Sequence, residues 1–130
     1  MKTITKWKKG HEFTSHQDHN TIQIDGSRKN GISPKSLLLS GLAGCSGIDV
    51  VDILTKMKVK FSNLEIDAEA TLTDKNPKVF KHIQLIFQLK TAKENKIKVK
   101  KAIDLSLEKY CGVSAMLSKS TEIDYSIEII

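Results

Sequence analysis

The segment from Ser33 to about Lys56 constrains the fold of this chain most, because its first half is apolar or small on nearly every face. The run LLLSGLAGCSGI has no amphipathic stripe, so we expect a long central helix that is buried on most sides. Ser33 and Pro34 suit the start of this helix, since serine can cap free amide groups and proline fits the first helical position. The other elements must therefore cover this helix.

Three glycines, Gly41, Gly44 and Gly47, recur at every third position of the predicted helix. Each lowers helix propensity by about 1 kcal/mol relative to alanine, so something must require close approach to the helix. Two causes are open at this point. Another element packs tightly against the glycines, or a substrate or partner thiol needs access to Cys45, which lies between Gly44 and Ser46.

Alternating apolar and polar residues predict strands over much of the remaining chain. The predicted order is three short strands (Thr3–Trp7, Glu12–Thr14, Thr21–Ile24), a polar loop (Asp25–Ile32), the central helix, a hairpin (Leu64–Leu72 with Val79–Lys90), a helix (Asn95–Tyr110), a short helix (Val113–Lys119) and a last strand (Ile123–Ile129). This order indicates one α+β domain over residues 1–130 with antiparallel pairing.

Charge and composition narrow the classes of partner. The net charge is +6, but 20 of the 21 basic residues are lysine and are spread along the chain, and aromatic residues make up only 5%. Nucleic-acid readers favour arginine and interleaved aromatics, so a solvated basic surface is the better interpretation and a nucleic-acid partner is disfavoured. We expect no membrane-spanning segment and no secretory signal, and hence a cytoplasmic protein.

The residues that could carry chemistry are two cysteines and a few histidines. Cys45 and Cys111 lie 66 residues apart, which fits no compact metal motif, and each is by default a small buried apolar residue. Cys111 falls between two predicted helices, where amide groups of the following turn could lower the pKa of its thiol. His11, His16 and His19, with Asp18, match no ligand spacing, so no metal site is expected, and His82 is expected to be solvated.

Two segments carry a resemblance to a known family. SPKSLLLSGLAGCSGIDVVDIL (Ser33–Leu54) and KAIDLSLEKYCGVSAML (Lys101–Leu117) resemble the signature regions of the OsmC/Ohr family, the osmotically inducible and organic hydroperoxide resistance proteins. The most specific parts are P-x-x-L-L-L-x-x-L-A-G-C and a second cysteine followed by V-S-x-x-L. The resemblance implies an OsmC-like fold, in which antiparallel sheets wrap around a long buried central helix. It also implies an intertwined homodimer with its sites at the subunit interface.

The resemblance further implies a thiol-dependent peroxidase that reduces organic hydroperoxides. Cys45 maps onto the peroxidatic cysteine and Cys111 onto the resolving cysteine of that family. A thiolate cleaves the O–O bond and becomes a sulfenic acid, which the second thiol converts to a disulfide before further oxidation. This chemistry requires no metal and no bound redox cofactor. The implied reductant is a dithiol or a lipoylated protein.

One departure from the family pattern leaves an alternative open. The family uses an arginine, here Arg28, to stabilise the thiolate, and a glutamate ten residues before the first cysteine to hold that arginine. Lys35 stands at that position, so Glu12 or Glu108 would have to orient Arg28. The alternative is a non-enzymatic OsmC-like protein that senses oxidants or binds a small apolar ligand.

Overall fold

The computed structural model describes residues 1–130, which form two compact units, residues 1–38 and residues 39–130. The elements are β1 (Ile4–Lys9), β2 (Glu12–Gln17), β3 (Asn20–Asp25), α1 (Pro34–Lys56), β4 (Ser62–Leu72), β5 (Phe80–Lys90), α2 (Lys96–Leu105), α3 (Gly112–Leu117) and β6 (Glu122–Ile129). A 3₁₀ turn precedes α2, and a π-helical turn (Ser106–Tyr110) follows it. The predicted α+β class and order of elements are confirmed, and a single domain over residues 1–130 stays a prediction.

The first unit contains a three-stranded antiparallel meander in the order β1-β2-β3. Gly10 makes the β1–β2 turn at a φ of +51°, a conformation that suits glycine because it has no Cβ. All six residues of β1 are exposed, including Trp7 at 68%. The sheet therefore leaves apolar side chains of β1 uncovered in this chain.

The second unit contains a sheet in the order β4-β5-β6. Strands β4 and β5 pair antiparallel, which confirms the predicted hairpin. The prediction of antiparallel pairing is wrong for the last strand, since β6 runs parallel to β5 from the pair His82–Glu122 to the pair Leu89–Ile129. The reason is the connection: α2, the π-helical turn and α3 carry the chain back past the sheet, as a parallel pair requires.

One apolar core holds the second unit together. Its fully buried side chains come from β5 (Ile83, Leu85, Phe87, Leu89), from α1 (Leu42, Val50, Leu54) and from α2 (Val99, Ala102, Ile103). The alternation along β5 places Ile83, Leu85, Phe87 and Leu89 on the face that the helices cover, whereas Ile86 lies on the opposite face. The other face of the sheet is mostly polar.

Helix α1 has one buried face and one exposed face in this chain. The predicted bounds are confirmed, but burial on most sides is wrong here, since Leu38 is 51% exposed and Ile48 is 66% exposed. The reason is that only the face bearing Leu42, Val50 and Leu54 meets the core. By length and composition alone α1 could also cross a membrane, contrary to the sequence expectation, but this is weak evidence for a helix that contributes to a core.

Candidate functional site

The second unit brings Cys45 and Cys111 together. The two cysteine side chains approach each other to 3.1 Å, share a thiol hydrogen bond and are not joined by a disulfide. Cys45 lies on α1 and is half-buried, whereas Cys111 is only 3% exposed. The thiols are thus close enough to form a disulfide after a small movement of the side chains.

The backbone around Cys111 fixes its position. Its N–H donates to the Ser106 carbonyl oxygen at 2.7 Å across the π-helical turn, and the chain then becomes extended before α3 begins. Cys111 is the N-cap of α3, because its Sγ accepts a hydrogen bond from the Ser114 N–H at 3.3 Å. Widened helical turns of this kind occur frequently at functional sites.

Burial dominates the acidity of Cys111. Desolvation, followed by the hydrogen bond with Cys45, raises the pKa of the Cys111 thiol to about 11, although the Ser114 and Val113 amides act in the opposite direction. The expected amide contact therefore exists, but the expected lowering of the pKa is wrong. The free-energy cost of removing the thiolate from water exceeds the stabilisation that the amide groups of this short helix provide.

This pKa predicts a strong difference in alkylation. At pH 8 only about one Cys111 side chain in a thousand is a thiolate when the pKa is about 11, and the thiolate is the reactive form. We expect iodoacetamide to label Cys45 first, and labelling of Cys111 to rise steeply between pH 9 and pH 11. Because the folded-state pKa is raised, Cys111 also contributes stability below pH 9 that is lost as the pH rises towards 11.

Pulsed alkylation followed by mass spectrometry of the peptides checks this order at each pH. The same protein in concentrated urea is the control, since both thiols should then react alike. Labelling of Cys111 as fast as Cys45 in the folded protein at pH 7.5 would contradict the burial argument.

A buried polar network lies beside the cysteine pair. The Ser106 Oγ lies 2.8 Å from Asp49 Oδ2 and 3.2 Å from Ser46 Oγ. Ser46 and Ser106 have no exposed surface, and Ser46 directly follows Cys45. The Ser106 hydroxyl can donate to the Asp49 carboxylate or to the Ser46 hydroxyl, and either bond ties α1 to the turn that holds Cys111. Sequence reasoning missed it, although Asp49, the first charged residue of α1 after Lys35, was a usable signal.

We expect Ser106→Ala to destabilise the protein by about 1–3 kcal/mol, because the Ser46 hydroxyl and the Asp49 carboxylate lose their common partner. Urea denaturation measures the change. Ser118→Ala is the matched control, since Ser118 is exposed on the neighbouring α3 end and only bonds the Ala115 carbonyl. Equal stabilities of the two variants would show that the network does not hold the turn.

The glycines of α1 fall into two groups. A Cβ on Gly47 would lie 3.0 Å from Ile66 Cδ1, so close packing against β4 accounts for that glycine. A Cβ on Gly41 or Gly44 would meet nothing within 4 Å. Gly44 therefore leaves open space next to Cys45, in keeping with the second of the two expected causes.

Arg28 lies in the loop of the first unit that Asp25 organises. The Asp25 carboxylate accepts bonds from the Ser27 hydroxyl and from the Ser27, Lys29 and Asn30 amides, and these bonds lower its pKa to about 2. Arg28 itself has a φ of +59° and forms no ion pair with Glu12 or another carboxylate of this unit.

Glu108, the other acid considered for Arg28, lies in the second unit and lines a groove beside α3. Neither acid is therefore established as a partner of Arg28, and a catalytic role of Arg28 stays a prediction.

A second groove, of about 480 Å³, opens between the carboxyl-terminal half of α1 and α2. Its apolar lining consists of Ile53, Met57, Leu105 and Tyr110, and its charged rim contains Asp49 and Lys101, among others. The groove thus shares Asp49 with the polar network. It is large enough for a small ligand.

The four histidines lie in both units, three in the first and His82 in the second. His11, His16 and His19, with Asp18, do not converge on a ligand set. The group that does converge consists of His82, Glu122 and Asp124, and the His82 Nε2 lies 2.8 Å from Asp124 Oδ2. His82 is on the polar face of the sheet, as expected, but it is paired rather than simply solvated.

This chain is similar to known proteins in sequence and in fold. A family model described as OsmC-like protein matches residues 25–126. The chain is 33% identical to Protein YhfA of Escherichia coli K12 over 132 residues, covering 100% of this chain and 98% of that protein.

Solved structures share the fold. An OsmC-like protein from Mycoplasma pneumoniae superposes with a TM-score of 0.87 at 17% identity, covering 99% of this chain and 96% of that chain. The organic hydroperoxide resistance protein OhrB of Bacillus subtilis superposes with a TM-score of 0.66 at 17% identity, covering 98% of this chain and 96% of that chain.

Proposed function

Because this chain belongs to the OsmC-like protein family, we propose that it is a thiol-dependent peroxidase that reduces organic hydroperoxides through Cys45 and Cys111. The observation that carries the proposal is the 3.1 Å approach of the two free cysteines. The fold shared with hydroperoxide resistance proteins supports the substrate class. A role in oxidative or osmotic stress defence follows from that substrate.

The proposed reaction has three balanced steps. The Cys45 thiolate attacks the distal oxygen of ROOH, the O–O bond breaks, and Cys45 becomes a sulfenic acid while the alkoxide takes a proton and leaves as ROH. The Cys111 sulfur then attacks the Cys45 sulfur, an S–S bond forms, and water leaves. A dithiol, free or as a lipoyl group on a protein, reduces this disulfide by exchange and becomes a cyclic disulfide itself.

The environments of the two thiols support this division of roles. Cys45 is half-buried, and a Cβ on the neighbouring Gly44 would meet nothing within 4 Å, so we propose that a hydroperoxide approaches Cys45 from this side. Cys111 is nearly inaccessible, and burial raises its pKa to about 11, so it is a poor first nucleophile. Oxidation of Cys45 removes the repulsion from the Cys45 thiolate, which is one of the causes of that raised pKa. Loss of that repulsion increases the thiolate fraction of Cys111, while desolvation, the largest cause of the raised pKa, remains.

We further propose that the protein works as a cytoplasmic homodimer. The exposed apolar residues of α1 include Leu38, Ile48 and Val51, and all six residues of β1 are exposed. A second copy would bury these surfaces. Light scattering on the purified protein measures the mass, and a monomeric mass at micromolar concentration would contradict the dimer.

The test of the proposed function is multiple turnover. The protein is mixed with excess cumene hydroperoxide and dihydrolipoamide, and peroxide consumption is followed against a protein-free control. Reduction of many equivalents per chain would support the peroxidase. Consumption of one equivalent or fewer would contradict it.

The second candidate is a non-enzymatic member of the family that senses oxidants or binds a small apolar ligand. The groove of about 480 Å³ lined by Ile53, Met57 and Tyr110 favours it, as does Lys35 in place of the family glutamate. A sensor would form the disulfide once but turn over slowly with a dithiol. The turnover measurement therefore separates the two candidates.

A further inference from the structure

The polar face of the β4-β5-β6 sheet is strongly acidic, although the chain as a whole carries a net charge of +6. The strand registers place six carboxylates on this face, opposite to the core: Glu65, Asp67, Glu69, Glu122, Asp124 and Glu128. We call it the acidic face. Carboxylates gathered on one surface attract cations from solution.

Three donor groups meet on the acidic face. The parallel register puts His82 directly opposite Glu122, and Asp124 follows two residues later on the same side of β6. One ligand atom from each of these three residues lies within 4.8 Å of the others. The side chains of His82 and Asp124 are 34% and 56% exposed, so an ion from solution can reach them.

His82 is the only basic group paired with either carboxylate, and neither lysine nor arginine forms an ion pair with Glu122 or Asp124. With the imidazole neutral, the cluster carries two negative charges. A divalent cation would neutralise both, and the imidazole nitrogen favours a transition metal over Mg²⁺ or Ca²⁺.

We propose that His82, Glu122 and Asp124 bind a Zn²⁺ ion on the acidic face. One imidazole nitrogen and two carboxylate oxygens supply three ligands, which leaves a coordination position for water, as in zinc sites with three protein ligands. This site is independent of the cysteine pair and of the proposed peroxidase activity.

The experiment uses the full chain carrying Cys45→Ser and Cys111→Ser, so that thiols cannot bind the metal. Calorimetric titration with ZnCl₂ should show one site per chain. Adding His82→Ala or Asp124→Asn should weaken binding by about tenfold or more, since even indirect partners of metal ligands contribute that much. His16→Ala in the first unit is the matched control and should leave the affinity unchanged.

Titration with Co²⁺ gives a second readout, because ligation by the imidazole alters the visible absorption of the ion. We expect that spectrum in the thiol-free protein and its loss in His82→Ala. Binding weaker than about 1 mM, or binding that survives both His82→Ala and Asp124→Asn, would overturn the proposal. Preference for Mg²⁺ over Zn²⁺ would overturn it as well.

Discussion

Cys45→Ser is expected to reduce peroxide turnover to the uncatalysed background, a loss of about 10³-fold or more, because removal of a covalent nucleophile commonly costs at least that much. Serine keeps the size and the hydrogen-bonding capacity of the side chain but forms no reactive thiolate at neutral pH. The fold should survive, since position 45 is only half-buried. Stopped-flow or colorimetric peroxide assays with excess dithiol measure the effect.

The matched control for Cys45→Ser is Ser40→Ala, an exposed position on the same helix. It should retain full turnover. Peroxide consumption at the wild-type rate by Cys45→Ser would remove Cys45 from the mechanism and with it the proposed first step.

Cys111→Ser is expected to allow one oxidation and then inactivate the protein. Without the resolving thiol, the Cys45 sulfenic acid persists and excess peroxide converts it to sulfinic acid, a mass increase of about 32 Da on that residue. The serine hydroxyl can still accept the Ser114 N–H, so the N-cap of α3 is preserved. Loss of activity would therefore reflect missing chemistry rather than a missing cap.

Mass spectrometry of the Cys45 peptide after stepwise addition of peroxide follows this course. The wild-type protein is the control and should show a disulfide instead of sulfinic acid. Sustained turnover by Cys111→Ser without over-oxidation would mean that the external dithiol resolves the sulfenic acid directly, and Cys111 would lose its proposed role.

Local sequence signals predicted the helices and strands well, because the start of a helix and the alternation of a strand depend on residues that are close in sequence. Pro34 begins α1, although the Ser33 hydroxyl pairs with the Ser36 hydroxyl and not with a backbone amide. The alternation through Ile83, Leu85 and Phe87 defines β5. The direction of β6 was not predictable in this way. Alternation of side chains is the same in parallel and antiparallel strands, and the direction depends on the path of the connecting helices.

Local sequence signals were likewise insufficient for the candidate sites, because the residues of each site are distant in sequence. Spacing could not bring Cys45 and Cys111 together, and only the family resemblance paired them. The cluster of His82, Glu122 and Asp124 was missed because its members meet through the register of β5 with β6, some forty positions apart in sequence. We expected α1 to be buried on most sides, but one of its faces is exposed in this chain. An apolar sequence indicates that a helix favours burial, but it does not identify the surface that covers the helix.

A thiol count before and after oxidation decides whether Cys45 and Cys111 form a redox pair. The reduced protein is treated with one equivalent of cumene hydroperoxide, alkylated and examined by mass spectrometry, and the sample is then reduced with dihydrolipoamide and counted again. We expect peroxide to cause rapid loss of both thiols and to form a Cys45–Cys111 disulfide within one chain. Dihydrolipoamide should then restore both thiols. Two thiols that stay free and alkylatable after peroxide would contradict it.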